Sequence, residues 1–245
     1  MKKTRAAVLA LWLCAAQSQA VEAIPALAFS GLQPGGQLPS EWRMVTSPKI
    51  RDHTRYSLVA DGPATVLRAE SDRSMSSLAR TLDVDPDRYP RLRWRWKIEN
   101  LVAKSDIRSK TGDDFPVRLY VFFDFDVRKL AFSQRVKVRL ARLLYGEEIP
   151  LAALCYVWAT RDSVGSSAWN AFTDRVRMIV ARSGPESLGR WVEIERNVSE
   201  DYRAAFGEAP PRITGVAVAS DTDNTGERAV SYFGDAEFLP AAPGK

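Results

Sequence analysis

Residues 91–98 alternate cationic and apolar side chains without a break: Arg, Leu, Arg, Trp, Arg, Trp, Lys, Ile. Successive side chains of a strand point to opposite faces. A strand here therefore puts Leu92, Trp94, Trp96 and Ile98 on one side and Arg91, Arg93, Arg95 and Lys97 on the other. At helical period both sets would scatter. The segment calls for a sheet with one face against a core and the other face polar. Two indoles beside Leu and Ile read as core rather than as a platform for a sugar. Four cations along one strand repel, so their face needs carboxylates from neighbouring strands or an anionic ligand.

Other short runs with β character recur between turn signals: residues 56–60, 65–70, 78–82, 117–125, 154–160, 175–182, 191–196, 214–220 and 229–238. Breakers such as Asp61-Gly62-Pro63, Asp85-Pro86 and Pro210-Pro211 separate several of them. Many short strands at regular spacing predict an all-β, antiparallel sandwich of jelly-roll type. No repeat or long linker divides it. Residues 21–37, rich in Ala, Pro and Gly, read as an irregular surface arm. Two helical inserts are expected. One spans residues 199–206, with Ser199 as N-cap and Gly207 as its stop. The other spans about 130–145, with one apolar face and a basic face that includes Arg135, Arg139 and Arg142. That basic face suits solvent, an anionic envelope surface or a partner protein.

The first 20 residues read as a cleavable signal peptide. Lys2, Lys3 and Arg5 precede an apolar stretch from Ala6 to Ala16, and Ser18-Gln19-Ala20 carries small residues where a signal peptidase reads. Leu13 before Cys14 argues against a lipoprotein. The expected mature unit is 21–245, a single domain in the periplasm or outside the cell. The apolar stretch is short of the roughly 20 residues a bilayer span needs, and no later stretch is apolar enough. Removing Lys2, Lys3 and Arg5 lowers the formal charge from +5 to about +2, which ends any bulk-charge case for nucleic acid. Only Cys155 stays behind, in an apolar run, as a buried thiol with no intramolecular disulfide partner.

Candidate chemistry lies in three places. On the strand at 117–121, Arg118 and Tyr120 fall on the face expected to be away from the core. With Arg95 and Lys97 they would make a face able to hold a carboxylate or sulfate by charge-assisted hydrogen bonds. Glu193 and Glu195, or Asp221 and Asp223, are the internal neutralisers that compete with such a ligand. Two acidic turns follow: Thr111 to Pro116, with Asp113 and Asp114, and Ser220 to Glu227, with Asp221 and Asp223. Calcium takes six to eight oxygens, and the second turn offers several, although it lacks the EF-hand register. His53 is the only histidine, and no nucleophile elbow, zinc-protease motif, CxxC pair or phosphate loop is present.

Phe29–Gly31, Leu92–Lys97, Gly112–Val121, Cys155–Trp158, Ser220–Gly226 and Tyr232–Phe238 together resemble an uncharacterised family of bacterial exported proteins, the domain of unknown function 3047. More loosely, Tyr232–Phe238 resembles the closing strand of galactose-binding-like and carbohydrate-binding jelly rolls. That likeness implies two packed antiparallel sheets, a ligand surface on one face or rim, and often a structural calcium, for which it nominates Asp235. The leading expectation is non-catalytic binding of a glycan or other cell-envelope component, anionic ones among them, by Arg95, Lys97, Asp113, Asp114, Arg118, Tyr120, Asp221 and Asp223. The alternatives are a polysaccharide hydrolase or lyase, and an envelope assembly protein that docks through the basic helix.

Overall fold

The alternating segment is strand β6 (Arg91–Ile98), with each even-numbered residue buried and each odd one half-buried. The computed structural model describes residues 22–125, 128 and 152–241. The expected leader and the basic helix at 130–145 lie outside the described residues. Two sheets pack face to face. The first runs β11 (Val192–Asn197), β6, β13 (Arg228–Leu239), β4 (Ala64–Asp72) and β3 (Arg55–Asp61), with β1 (Ile24–Leu27) joined to the end of β13. The second runs β2 (Trp42–Val45), β5 (Met75–Val84), β12 (Ile213–Asp221), β7 (Arg118–Phe123), β8 (Ala153–Ala159), β10 (Val176–Ser183) and β9 (Ser167–Trp169). Consecutive strands β4 to β7, and again β11 to β13, alternate between the sheets, as expected of a jelly-roll sandwich.

Burial of the inner faces drives this arrangement. Trp94 and Trp96 are sealed between the sheets with Leu119, Val121, Tyr156 and Trp158. Trp94 packs on Tyr156 at 5.0 Å and meets Trp96 edge to face at 5.3 Å. Each large apolar side chain buried this way contributes about 1.5–3 kcal/mol. The indoles are core, as their spacing predicts.

The antiparallel expectation holds with one exception: β8 and β10 run parallel. The chain leaves β8, forms β9 beyond the far edge of β10, and turns back as a hairpin into β10. Every residue of β8 is buried, which fits a strand covered on both faces. Indeed, the outer face of the second sheet carries a second apolar cluster that includes Ile107, Phe115, Cys155, Val157 and Met178, with Tyr120 and Phe122 packed against it. The face predicted to be polar around Arg118 and Tyr120 is thus interior. Alternation located the two faces but could not show that the loop at 99–117 covers one of them.

Two local expectations also change. The arm at 21–37 contains a true strand, β1. The short helix α1 (Val198–Phe206) is capped by Asn197 rather than Ser199. The Asn197 side chain accepts from the Glu200 N–H at 3.1 Å, while the Ser199 hydroxyl donates to the Pro86 carbonyl. Gly207 ends the helix in the left-handed region, as expected.

Candidate functional site

The predicted site residues divide between opposite outer faces of the sandwich. Arg95 and Lys97 lie on the outside of the first sheet; Arg118 and Tyr120 lie on the outside of the second. The single four-residue face does not form, because β6 and β7 belong to different sheets.

On the second sheet, the two acidic turns converge around Arg118. Gly112 shapes the first turn: a Cβ there would sit 2.7 Å from the Lys104 carbonyl oxygen, so only glycine fits. Arg118 is 1% exposed. Its Nε donates to Asp221 at 2.8 Å, and Nη2 reaches the other Asp221 oxygen at 2.7 Å. Nη2 also donates to the carbonyl and carboxylate of Asp113, at 2.6 and 3.0 Å. The Phe115 ring lies 4.8 Å beneath the guanidinium. Asn170 donates to the remaining Asp113 oxygen at 2.7 Å. Asp114 ties the turns together by accepting from the Asn224 side chain and from the backbone and hydroxyl of Thr225.

Burial opposes charge throughout this knot. It works against the Arg118 charge, yet Asp113 and Asp221 together hold the guanidinium pKa well above its usual value. Burial lifts Asp221 to about 7, with Arg118 pulling the other way. It also raises Asp223, with Asp114 adding to the effect. Burial pushes the Cys155 thiol to about 12, so it is inert at neutral pH. Burial likewise holds Tyr120 well above its usual range, whereas a tyrosine base in a lyase needs a pKa lowered toward neutrality.

The two predicted cation positions differ in how their oxygens are engaged. Asp114, Asp221 and Asp223 each present a carboxylate oxygen within 4.8 Å of the others. All four oxygens of Asp114 and Asp221 accept from N–H or O–H donors, whereas Asp223 Oδ1 is buried with no hydrogen-bond partner among the described residues. Asp235, nominated by the looser likeness, accepts from the backbone N–H groups of Phe29 and Ser30 at 2.7 and 2.9 Å, and from the Ser30 hydroxyl. Its work is to clamp the N-terminal arm to β13.

The first sheet presents the opposite situation. Three of the four β6 cations have dedicated carboxylates: Arg91 with Glu195 at 2.8 Å, Arg93 with Glu237, and Lys97 with Asp61 at 3.3 Å. Glu195 was an expected neutraliser; Glu237 and Asp61 were not. Asp61 sits at the end of β3 and also accepts from the Trp191 indole N–H. Lys97 is consequently enclosed, with Trp191 and Tyr232 ring centroids 5.2 and 4.3 Å from its Nζ.

Arg95 differs. Among the described residues no carboxylate lies within 4.0 Å of its guanidinium, although Glu193 faces it directly across the β6–β11 ladder. Its guanidinium carbon lies 4.7 Å from the centroid of Trp191, and its stem lies flat against Gly234, where a Cβ would collide with it. The β13 register breaks between Phe233 and Ala236, at Gly234 and Asp235. A groove of about 470 Å³ opens beside Arg95, bounded by Pro25, Leu27, Ala28, Glu193 and Glu237. Glu193 is exposed at its rim.

The fold and these faces define a two-sheet β-sandwich with one sealed charged knot and one open, partly neutralised sheet face. The chain belongs to the protein family of unknown function DUF3047, whose pattern matches residues 40–237. No characterised protein sequence matches it. Among solved structures it is similar to a family 11 carbohydrate-binding module of a Clostridium thermocellum cellulase. Identity there is 8% and TM-score 0.41, over 89% of this chain and 98% of that one. A family 30 carbohydrate-binding module from the same organism gives 14% identity and TM-score 0.40, over 89% and 96%. The cellulose induced protein Cip1 gives 12% and 0.34, over 86% and 96%.

Proposed function

We propose that this chain is exported to the periplasm and there binds a glycan or another envelope component without catalysis, at the groove on the outer face of the first sheet. The observation that carries the reading is the adjacency of Arg95 and Glu193. They are cross-strand neighbours, one a fork of donors and one a pair of acceptors, and neither pairs with the other. A saccharide offers both hydroxyl donors and oxygen acceptors, so it can satisfy the two together. The residues of the acidic turns do not join this site: Asp113 and Asp221 engage Arg118, Asp114 is held by Asn224 and Thr225, and Asp223 lies with them. They also leave no free pair of carboxylates to serve a hydrolase.

A glycan array followed by calorimetry on the purified mature protein tests the reading. Binding to at least one oligosaccharide should be lost in the double variant Arg95→Ala/Glu193→Ala while its melting curve is unchanged. Binding that survives the double variant would move the site elsewhere.

A further inference from the structure

We infer that the groove selects acidic saccharides, with Arg95 receiving a carboxylate of the uronic acid type; this rests on the glycan-binding reading above. Among the described residues the β6 face follows a rule with one exception: each cation has its carboxylate except Arg95. The exception is not for want of a candidate, because Glu193 stands opposite in the ladder. The Arg95 side chain is instead laid along Gly234 and under Trp191.

That placement has a chemical consequence. Stacking against an indole occupies the flat face of a guanidinium and leaves its N–H edge free. The free edge is a planar fork that matches a carboxylate in two parallel hydrogen bonds. The neighbouring pairs cannot compete for the incoming group, since Arg93 is held by Glu237 and Lys97 by Asp61. Glu193 at the rim repels an acid modestly, so it should tune the preference downward rather than create it. Gly234 is part of the device: any side chain there would lift Arg95 out of its place.

The test uses oligogalacturonate, oligoglucuronate and oligomannuronate, each beside its carboxyl-reduced neutral counterpart, titrated into the mature protein. At least one uronate should bind about tenfold or more tightly than its reduced partner, the scale of a charge-assisted pair. Arg95→Gln should erase that preference, Arg95→Lys should keep part of it, and Glu193→Gln should increase it. Matching melting temperatures would confirm that each variant is folded. If reduced chains bind as well as acidic ones and Arg95→Gln changes neither, the acidic assignment fails while glycan binding stands. If no saccharide of either kind binds, the glycan reading itself falls. Preference for a sulfated chain, or for an acidic peptide, over every uronate would overturn the carboxylate assignment.

Discussion

Arg118 and Arg95 lie on the two opposite outer faces of one sandwich, each near acidic residues, yet their surroundings differ. Around Arg118 a loop closes over the sheet, and every donor on the side facing Asp113 and Asp221 is matched. Arg95 instead lines an open groove, and its side chain is positioned by stacking and by a glycine rather than by an opposite charge. A buried ion pair must be complete, because desolvation of an unpaired charge is severe. An open one need not be, because water and ligand can share the duty. Completeness marks a structural arginine; a positioned but unpaired one keeps its donors available.

The contrast can be broken most forcefully at Arg118. Arg118→Ala leaves Asp113 and Asp221 buried without their partner, and it should lower unfolding free energy in urea by about 3–5 kcal/mol. The pair Arg118→Met/Asp221→Asn should recover part of that loss. Next comes pH. Folded Asp221 holds its proton up to about pH 7, whereas an ordinary aspartate releases it near 3.8. Between those values the folded state carries the extra proton, so this group makes stability fall as pH rises and adds no further slope above about 7. Asp221→Asn should flatten that part of the stability–pH profile.

Smaller effects follow at the open face. Asp235→Ala removes the acceptor of three hydrogen bonds and should cost about 1–3 kcal/mol, with faster proteolysis of the arm at 22–31. Arg95→Ala should stay within about 0.5 kcal/mol of the parent, since the residue has no ion pair to lose. Smallest of all, EDTA or added calcium should leave the melting temperature unshifted, because the oxygens of Asp114 and Asp221 are already engaged and, among the described residues, the buried carboxylate oxygen left unpaired is Asp223 Oδ1. A clear calcium-dependent rise would show that the Asp114–Asp221–Asp223 knot rearranges to admit an ion.

Strand β6 was legible to the residue, because alternation of this contrast has only one structural solution. So were the burial of Trp94 and Trp96, the fate of Cys155, the stop at Gly207 and the neutralising part played by Glu195. The helix cap was misread because Asn197 and Ser199 are both competent caps, and only the path of the preceding strand chooses between them. Asp61, Trp191 and Glu237 were missed as site residues. Asp61 showed only as part of a turn, and neither of the others stands near β6 in sequence. What brings all three to β6 is the lateral order of strands β11, β6, β13, β4 and β3.

By itself the sequence determined the strand periods, and with them which side chains share a face: Arg91, Arg93, Arg95 and Lys97 on one, the indoles on the other. Tertiary structure alone decided which faces meet water. Side-chain alternation is local, a matter of two residues along one strand, whereas coverage of a face depends on a distant loop returning to it. Arg118 was therefore identifiable as lying opposite the main core but not as buried, and Arg95 as cationic but not as the cation of its strand left without a carboxylate among the described residues.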